Sequence, residues 1–195
     1  MPTITALRAA RGTVAVELDG VPWRTLPPAA VLEADLAVGT ELDRARARAL
    51  ARVVRRQRAE GVALRALARH DRSRASLDAR LARAGVAAPE RADVLTRAER
   101  SGLVDDARFA ATRARQLAER GAGDLLVLAD LARQGIDEHL AREAVATLDA
   151  EVDRVAEIVG RRGASPQTLR YLASRGFAEE SLEALVADIE SRALG

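Results

Sequence analysis

The sequence predicts a mainly α-helical protein, built from tandem three-helix repeats forming an elongated array and led by a small N-terminal antiparallel β-ribbon. Three observations carry that prediction. A phrase of the pattern Leu-Ala-x-x-Gly-apolar occurs at Leu81, Ala82, Gly85 and Val86, returns at Leu131, Ala132, Gly135 and Ile136, and returns again at Leu172, Ala173, Gly176 and Phe177. Only one stretch, near the start, alternates with a strand period. The composition is 48% hydrophobic but 2% aromatic, so the core must come from Leu, Val, Ile and Ala, which suits helices.

Each phrase reads as a helix end, a stop and a restart. Glycine suits the left-handed residue just past a helix, and the apolar residue after it packs back on the last turn. Nine residues past the three glycines stand Val94, Ala144 and Leu185, so the next apolar face arrives in step. Acidic residues open the following helices at Pro89-Glu90, Asp137-Glu138 and Glu179-Glu180, at the positive end of the dipole. The phrases are spaced 50 and 41 residues apart, with the surplus between Thr96 and Gly123. A three-helix unit cannot bury its apolar face alone, so stacked units must supply the core.

In chain order, Val14, Val16 and Leu18 alternate with Thr13, Ala15 and Glu17, and Arg11-Gly12 and Asp19-Gly20 supply turns. This predicts about three strands between Thr3 and Leu26. Pro27-Pro28 closes the ribbon and starts a short helix over Ala29–Asp35. Thr40 and Asp43 resemble a capping pair for a polarised helix over Leu42–Glu60, where Gly61 is expected to break or bend it. Val62–His70 continues with Leu64 and Leu67 toward the core. Ser73 caps Arg74–Ala84, a helix follows over Pro89–Ser101, and Asp105 and Asp106 start one that runs to Arg120 with Phe109 on its buried side. Gly121-Ala122-Gly123 reads as a flexible turn with Asp124 capping the next helix. Ser165-Pro166 is a natural cap and first turn within the last unit. The expected segments are 1–41, 42–104, 105–148 and 149–195. The expected core comprises Leu81, Val86, Phe109, Leu131, Ile136, Leu172 and Phe177.

The net charge of +2 conceals an asymmetry: residues 1–41, 42–83 and 84–195 carry −2, +9 and −5. All 31 basic residues are Arg, whose planar fork matches phosphate or carboxylate. At about 100° per residue, Arg44, Arg48, Arg52, Arg55, Arg56 and Arg58 fall within an arc of about 160°, opposite Leu42, Ala49, Leu50, Val53 and Val54. Asp43 and Glu60 point away from that arc, so its self-repulsion calls for a polyanion or acidic partner.

Several classes have little material. Without cysteine or lysine there are no disulfides, thiolate metal sites, thiol nucleophiles, Schiff bases or phosphate-binding lysines. His70 and His139 read as helix-surface residues. Paired Asp105 and Asp106 read as caps rather than metal ligands, and Gly121-Ala122-Gly123 lacks the context of a phosphate loop. No catalytic residue, cofactor or metal is expected. The start, Met1-Pro2-Thr3, lacks a basic region followed by an apolar one, and the apolar run Leu125–Ala129 is bracketed by Asp124 and Asp130, so a soluble cytoplasmic monomer is expected.

Several strings together carry a resemblance. They are Leu67-Ala68-Arg69, Ser73-Arg74, Leu77 and Leu81 through Val86; then Gly102-Leu103-Val104-Asp105-Asp106 with Arg108-Phe109-Ala110; then Leu131 through Ile136, and Arg170-Tyr171-Leu172-Ala173-Ser174-Arg175-Gly176-Phe177. Over about residues 60–192 the chain resembles the RecX family of recombination regulators. The resemblance implies a non-enzymatic array of three-helix units that binds the RecA recombinase filament on DNA, usually restraining its ATPase, strand exchange and co-protease activity within DNA repair and the SOS response. DNA, single-stranded within the filament, is the second implied partner. Asp124, Leu125, Leu126 and Val127 stand where many members carry basic residues, and Ser76 stands where an acid is common. A plain DNA-binding helical protein without a recombinase partner is the alternative.

Overall fold

A computed structural model describes residues 1–194. Strands β1 (Ile4–Ala10), β2 (Thr13–Leu18) and β3 (Val21–Leu26) form one antiparallel meander in the order β1-β2-β3, with Leu7 opposite Val16 and Val14 opposite Leu26. Among the described residues ten helices follow: α1 (Pro28–Glu33), α2 (Arg44–Leu67), α3 (Arg74–Arg83), α4 (Ala88–Arg100), α5 (Asp106–Glu119), α6 (Asp124–Arg133), α7 (Glu138–Ala146), α8 (Glu151–Arg162), α9 (Pro166–Ser174) and α10 (Glu179–Leu194). Contacts group these into two compact units, one of residues 1–70 and 77–101, the other of 71–76 and 102–195, with α3 divided between them.

In the first unit the inward positions of the meander, Ile4, Val16 and Leu26, bury against Val31, Leu36, Leu42 and Leu50. The second unit holds two clusters. One joins Ala110, Ala114, Val127, Leu131, Ile136 and Ala144; the other joins Val155, Ile158, Leu172, Phe177, Leu182 and Leu185. Leu81, Val86, Leu131, Ile136, Leu172 and Phe177 are buried. Phe109 is only half-buried, packed at the edge of the cluster around Leu131, because the small residues Ala110 and Ala114 take the innermost positions of α5.

The three phrases close their helices with the same pair of hydrogen bonds. The amide of Val86 donates to the Leu81 carbonyl at 3.1 Å and that of Gly85 to Ala82 at 2.9 Å. Ile136 and Gly135 repeat this on Leu131 and Ala132 at 3.1 and 2.9 Å, and Phe177 and Gly176 on Leu172 and Ala173 at 3.3 and 3.1 Å. This is the Schellman arrangement, and the glycines adopt its left-handed φ of 72–77°. A fourth copy lies in the surplus between Thr96 and Gly123: Ala122 donates to Leu117 at 3.0 Å and Gly121 to Ala118 at 2.8 Å. Its final apolar residue is an alanine, which hid it among the many alanines of the sequence.

Some expectations are corrected. Gly61 does not break the long helix, because α2 runs unbroken to Leu67. An interior glycine costs about 1 kcal/mol relative to alanine, which burial of Ala59, Ala63 and Ala66 on either side offsets. Those alanines take the inward stripe, and Leu64 is left 56% exposed. Asp124 is the first residue of α6 rather than its cap, since Gly123 occupies the cap position.

The segment Gly121-Ala122-Gly123 is not a flexible turn but a close-packed joint of the second unit. Ala122 is fully buried, the Gly123 amide donates to Arg175 carbonyl oxygen at 2.9 Å, and Leu125 donates to Gly176 carbonyl oxygen at 3.1 Å. A Cβ on Gly123 would lie 2.3 Å from the Gly176 oxygen, so only glycine fits.

Candidate nucleic-acid and partner interface

The interface candidate begins with the local chemistry of α2. Asp43 caps it, its carboxylate accepting the Arg46 amide at 2.6 Å, and Arg, Ala, Leu and Gln fill it with strong helix formers. Two different faces are then buried along its length. In the first half, Leu50 with Ala47 and Val54 packs into the cluster below the meander. In the second, Ala59, Ala63 and Ala66 are buried, in the half where α2 meets α4. These two stripes lie roughly 150° apart around the helix axis. The second stripe therefore runs along the face that carries the arginines in the first half.

This change of face divides the six predicted arginines. Arg55 Nε donates to Glu90 Oε1 of α4 at 2.6 Å, and that bond holds the Glu90 carboxyl below its usual value. Arg56 pairs with Glu33 of α1 and, at 4.0 Å, with Glu60. Arg58 donates to the carbonyl of Ala84 at 3.3 Å, neutralising the C-terminal end of α3. Glu60, expected to point away, also meets Arg97 at 3.0 Å. The arc is thus partly balanced by Glu60 and by two acids, Glu33 and Glu90, that lie 23 and 35 residues from their partners in the sequence.

Arg44, Arg48 and Arg52 remain. All three are exposed, and among the described residues none has a hydrogen-bond or ion-pair partner. Spaced four residues apart, they form one ridge with heads about 6 Å apart along the axis. Three parallel guanidinium forks on a rigid helix can take phosphate or carboxylate oxygens without first breaking an internal bond.

Two polar networks that sequence reasoning missed belong to the second unit and hold its joint together. Glu151 Oε1 accepts the Asp124 amide at 2.6 Å and its Oε2 the Ala178 amide at 3.0 Å, so one carboxylate serves two chain segments that open helices. Arg154, only 9% exposed, donates to the Ala122 carbonyl at 2.9 Å and the Asp149 carbonyl at 3.1 Å and pairs with Asp124. Burial pushes the Asp124 carboxyl up, outweighing the downward pull of Arg154. Between α5 and α6, Asp130 accepts from Arg113 at 2.7 and 3.2 Å and from Arg133 at 3.1 Å. The Arg113 bond holds the Asp130 carboxyl below its ordinary value despite burial. The only sequence signal for these groups was the joint glycine pair itself.

The remaining candidates fall into place around them. His70 and His139 are both exposed. Asp105 caps α5 by accepting the Arg108 amide at 2.9 Å, while Asp106 accepts the Arg74 amide at 2.7 Å. Ser73 accepts the Ser76 amide at 3.1 Å and donates to the Gln134 carbonyl at 2.5 Å, tying α3 to the end of α6. Among the described residues no helix is long and apolar enough to cross a membrane.

Comparison with known proteins adds independent findings. Residues 105–145 match the family model for the RecX second three-helix domain. The regulatory protein RecX of Chromohalobacter salexigens is 37% identical over 134 residues, 64% of this chain and 88% of that protein. The one from Halorhodospira halophila is 32% identical over 138 residues, covering 64% and 84%. That of Mycobacterium sp. (strain JLS) is 37% identical over 112 residues, 55% and 61% of the two chains. A crystal structure of regulatory protein RecX superposes with a TM-score of 0.74 at 19% identity, over 96% of this chain and 100% of that one. RecX from Lactobacillus salivarius gives 0.59 at 15% identity over 70% and 97%, and these two likenesses speak to the fold.

Proposed function

Since the chain belongs to the RecX family of regulatory proteins, we propose that it regulates the RecA recombinase, most simply as an inhibitor that seats on the RecA–DNA filament. The observation that supports the reading is the ridge of Arg44, Arg48 and Arg52, exposed on the first half of α2 and, among the described residues, without an internal partner. Its complement is the anionic phosphate backbone of DNA in the filament, with acidic recombinase surface as the competing occupant. The protein acts by occupying a surface or altering subunit exchange, without turning over nucleotide itself. Arg55, Arg56 and Arg58 are already held by Glu90, Glu33 and the Ala84 carbonyl, so the ridge rather than these three meets the partner.

The test is a titration into preformed RecA filaments on single-stranded DNA, following ATP hydrolysis and filament length together. Both are expected to fall with stoichiometry, and the Arg44→Glu/Arg48→Glu/Arg52→Glu protein is expected to lose the effect while keeping its helical circular dichroism. Equal DNA binding with and without recombinase, with both readouts unchanged at saturation, would instead establish an independent DNA-binding protein.

A further inference from the structure

Beside the arginine ridge lies an apolar groove of about 520 Å³ that the ridge alone does not explain. Leu18, Trp23, Leu42 and Ala47 line it together with Met1 and Pro2, with Asp43 and Arg44 as its charged side chains. Trp23 is the single tryptophan of the chain and is half-buried at the edge of the cluster below the meander. Arg24 lays its guanidinium carbon 4.3 Å from the centre of the indole ring. Asp43 is already committed to capping α2 through the Arg46 amide. Arg44 and Arg24 outnumber that one carboxylate, so the charge around the groove is positive on balance, while the wall is aromatic and aliphatic.

We propose that this groove receives an unpaired nucleobase of single-stranded DNA, stacked against Trp23, while the adjoining phosphates run along Arg44, Arg48 and Arg52. An apolar slot next to a row of cations matches a ligand in which a flat uncharged ring alternates with a fixed anion. Single-stranded nucleic acid has that alternation. In a duplex the bases are stacked on one another and withheld, and an acidic peptide supplies the charge without the flat ring. Arg24 stacked on the indole adds a cation to the platform and keeps the ring oriented. This inference rests on the nucleic-acid reading of the ridge and adds to it a base contact.

The experiment compares the full-length protein on two labelled oligonucleotides of about 12 nucleotides, one of thymidine and one carrying abasic sites in place of every base. Because Trp23 is the sole tryptophan, its emission reports on the groove directly. The thymidine strand is expected to quench that emission and to bind roughly tenfold more tightly than the abasic strand, in keeping with the measured worth of a stacked base. Trp23→Leu is expected to bring thymidine binding down to the abasic level without changing abasic binding, and Trp23→Phe to restore most of the difference. A thermal melt of each variant checks that the meander stays folded.

Equal binding of both strands by the wild-type protein, with an ordinary salt dependence, overturns the groove and leaves the ridge standing. Binding that is insensitive both to salt and to Arg48→Glu/Arg52→Glu overturns the ridge as well. No binding of either strand, or stronger quenching by a poly-glutamate peptide than by the oligonucleotide, overturns the proposal.

Discussion

Leu131 and Asp130 are neighbours with opposite tasks, and they define what single residues contribute here. Leu131 has no exposed surface and joins α6 to α5 and α7 in one cluster. Leu131→Ala is expected to cost about 2–5 kcal/mol, read as a lowered thermal midpoint. Asp130 is buried and accepts from two arginines, so its folded-state pKa is depressed. The contribution of such a carboxylate is present above the ordinary aspartate range, near 3.9, and is lost as pH falls through the lower folded value. Acid titration of unfolding should therefore be shallower below about pH 4 in Asp130→Asn, with stability at pH 7 lowered by about 1–3 kcal/mol because Arg113 keeps a neutral acceptor only. An acid limb identical to wild type would show that the pair contributes nothing. Such pairs were invisible beforehand, since Arg113 and Asp130 meet only when α5 folds against α6.

At the scale of elements, the repeated helix stop was legible and its surroundings were not. Gly85 and Gly176 occupy equivalent turns with φ of 73° and 77°. Around Gly85 an added Cβ would meet open space, while around Gly176 it would sit 2.6 Å from the Leu126 amide nitrogen. Gly85→Ala should therefore cost only the left-handed strain of about 1–2 kcal/mol, and Gly176→Ala distinctly more. Equal shifts of the urea midpoint would contradict the close approach of α6 to the third phrase. The helix α2 shows the converse. Its arginine arc was read from a single amphipathic period, but the helix buries one face near Leu50 and nearly the opposite one near Ala63, and half the arc is paired within the fold. Reversing Arg55 would break its pair with Glu90, which makes Arg44, Arg48 and Arg52 the clean set for charge reversal.

For the whole molecule, the segment charges are −2, +9 and −5, and the structure divides the middle one between internal pairs and the ridge. Part of the +9 segment is neutralised inside the first unit by Glu33 and Glu90, acids from outside that segment that pair with Arg56 and Arg55. If the three ridge arginines meet phosphates, the logarithm of the affinity for single-stranded DNA should fall with the logarithm of salt at a slope of about −2, at about −0.7 per contact. Arg48→Glu/Arg52→Glu should flatten that slope as well as weaken binding. A slope unchanged by the double reversal would place the phosphate contacts elsewhere on the chain.

By itself the sequence determined the helical class, the N-terminal meander, the helix stops and the buried leucine of each phrase. Those features depend on local rules: a period of two or 3.6, a cap, a glycine that accepts positive φ. It also carried enough family strings for the resemblance to RecX to be read. Only the tertiary structure decided which arginines remain free, that Gly61 lies within a continuous helix, and that Gly121-Ala122-Gly123 is a packed joint. The reason is physical: a helix period assumes one partner along the whole element, whereas α2 has different neighbours at its two ends, and an ion pair such as Arg55–Glu90 exists only once packing brings distant segments within hydrogen-bond reach.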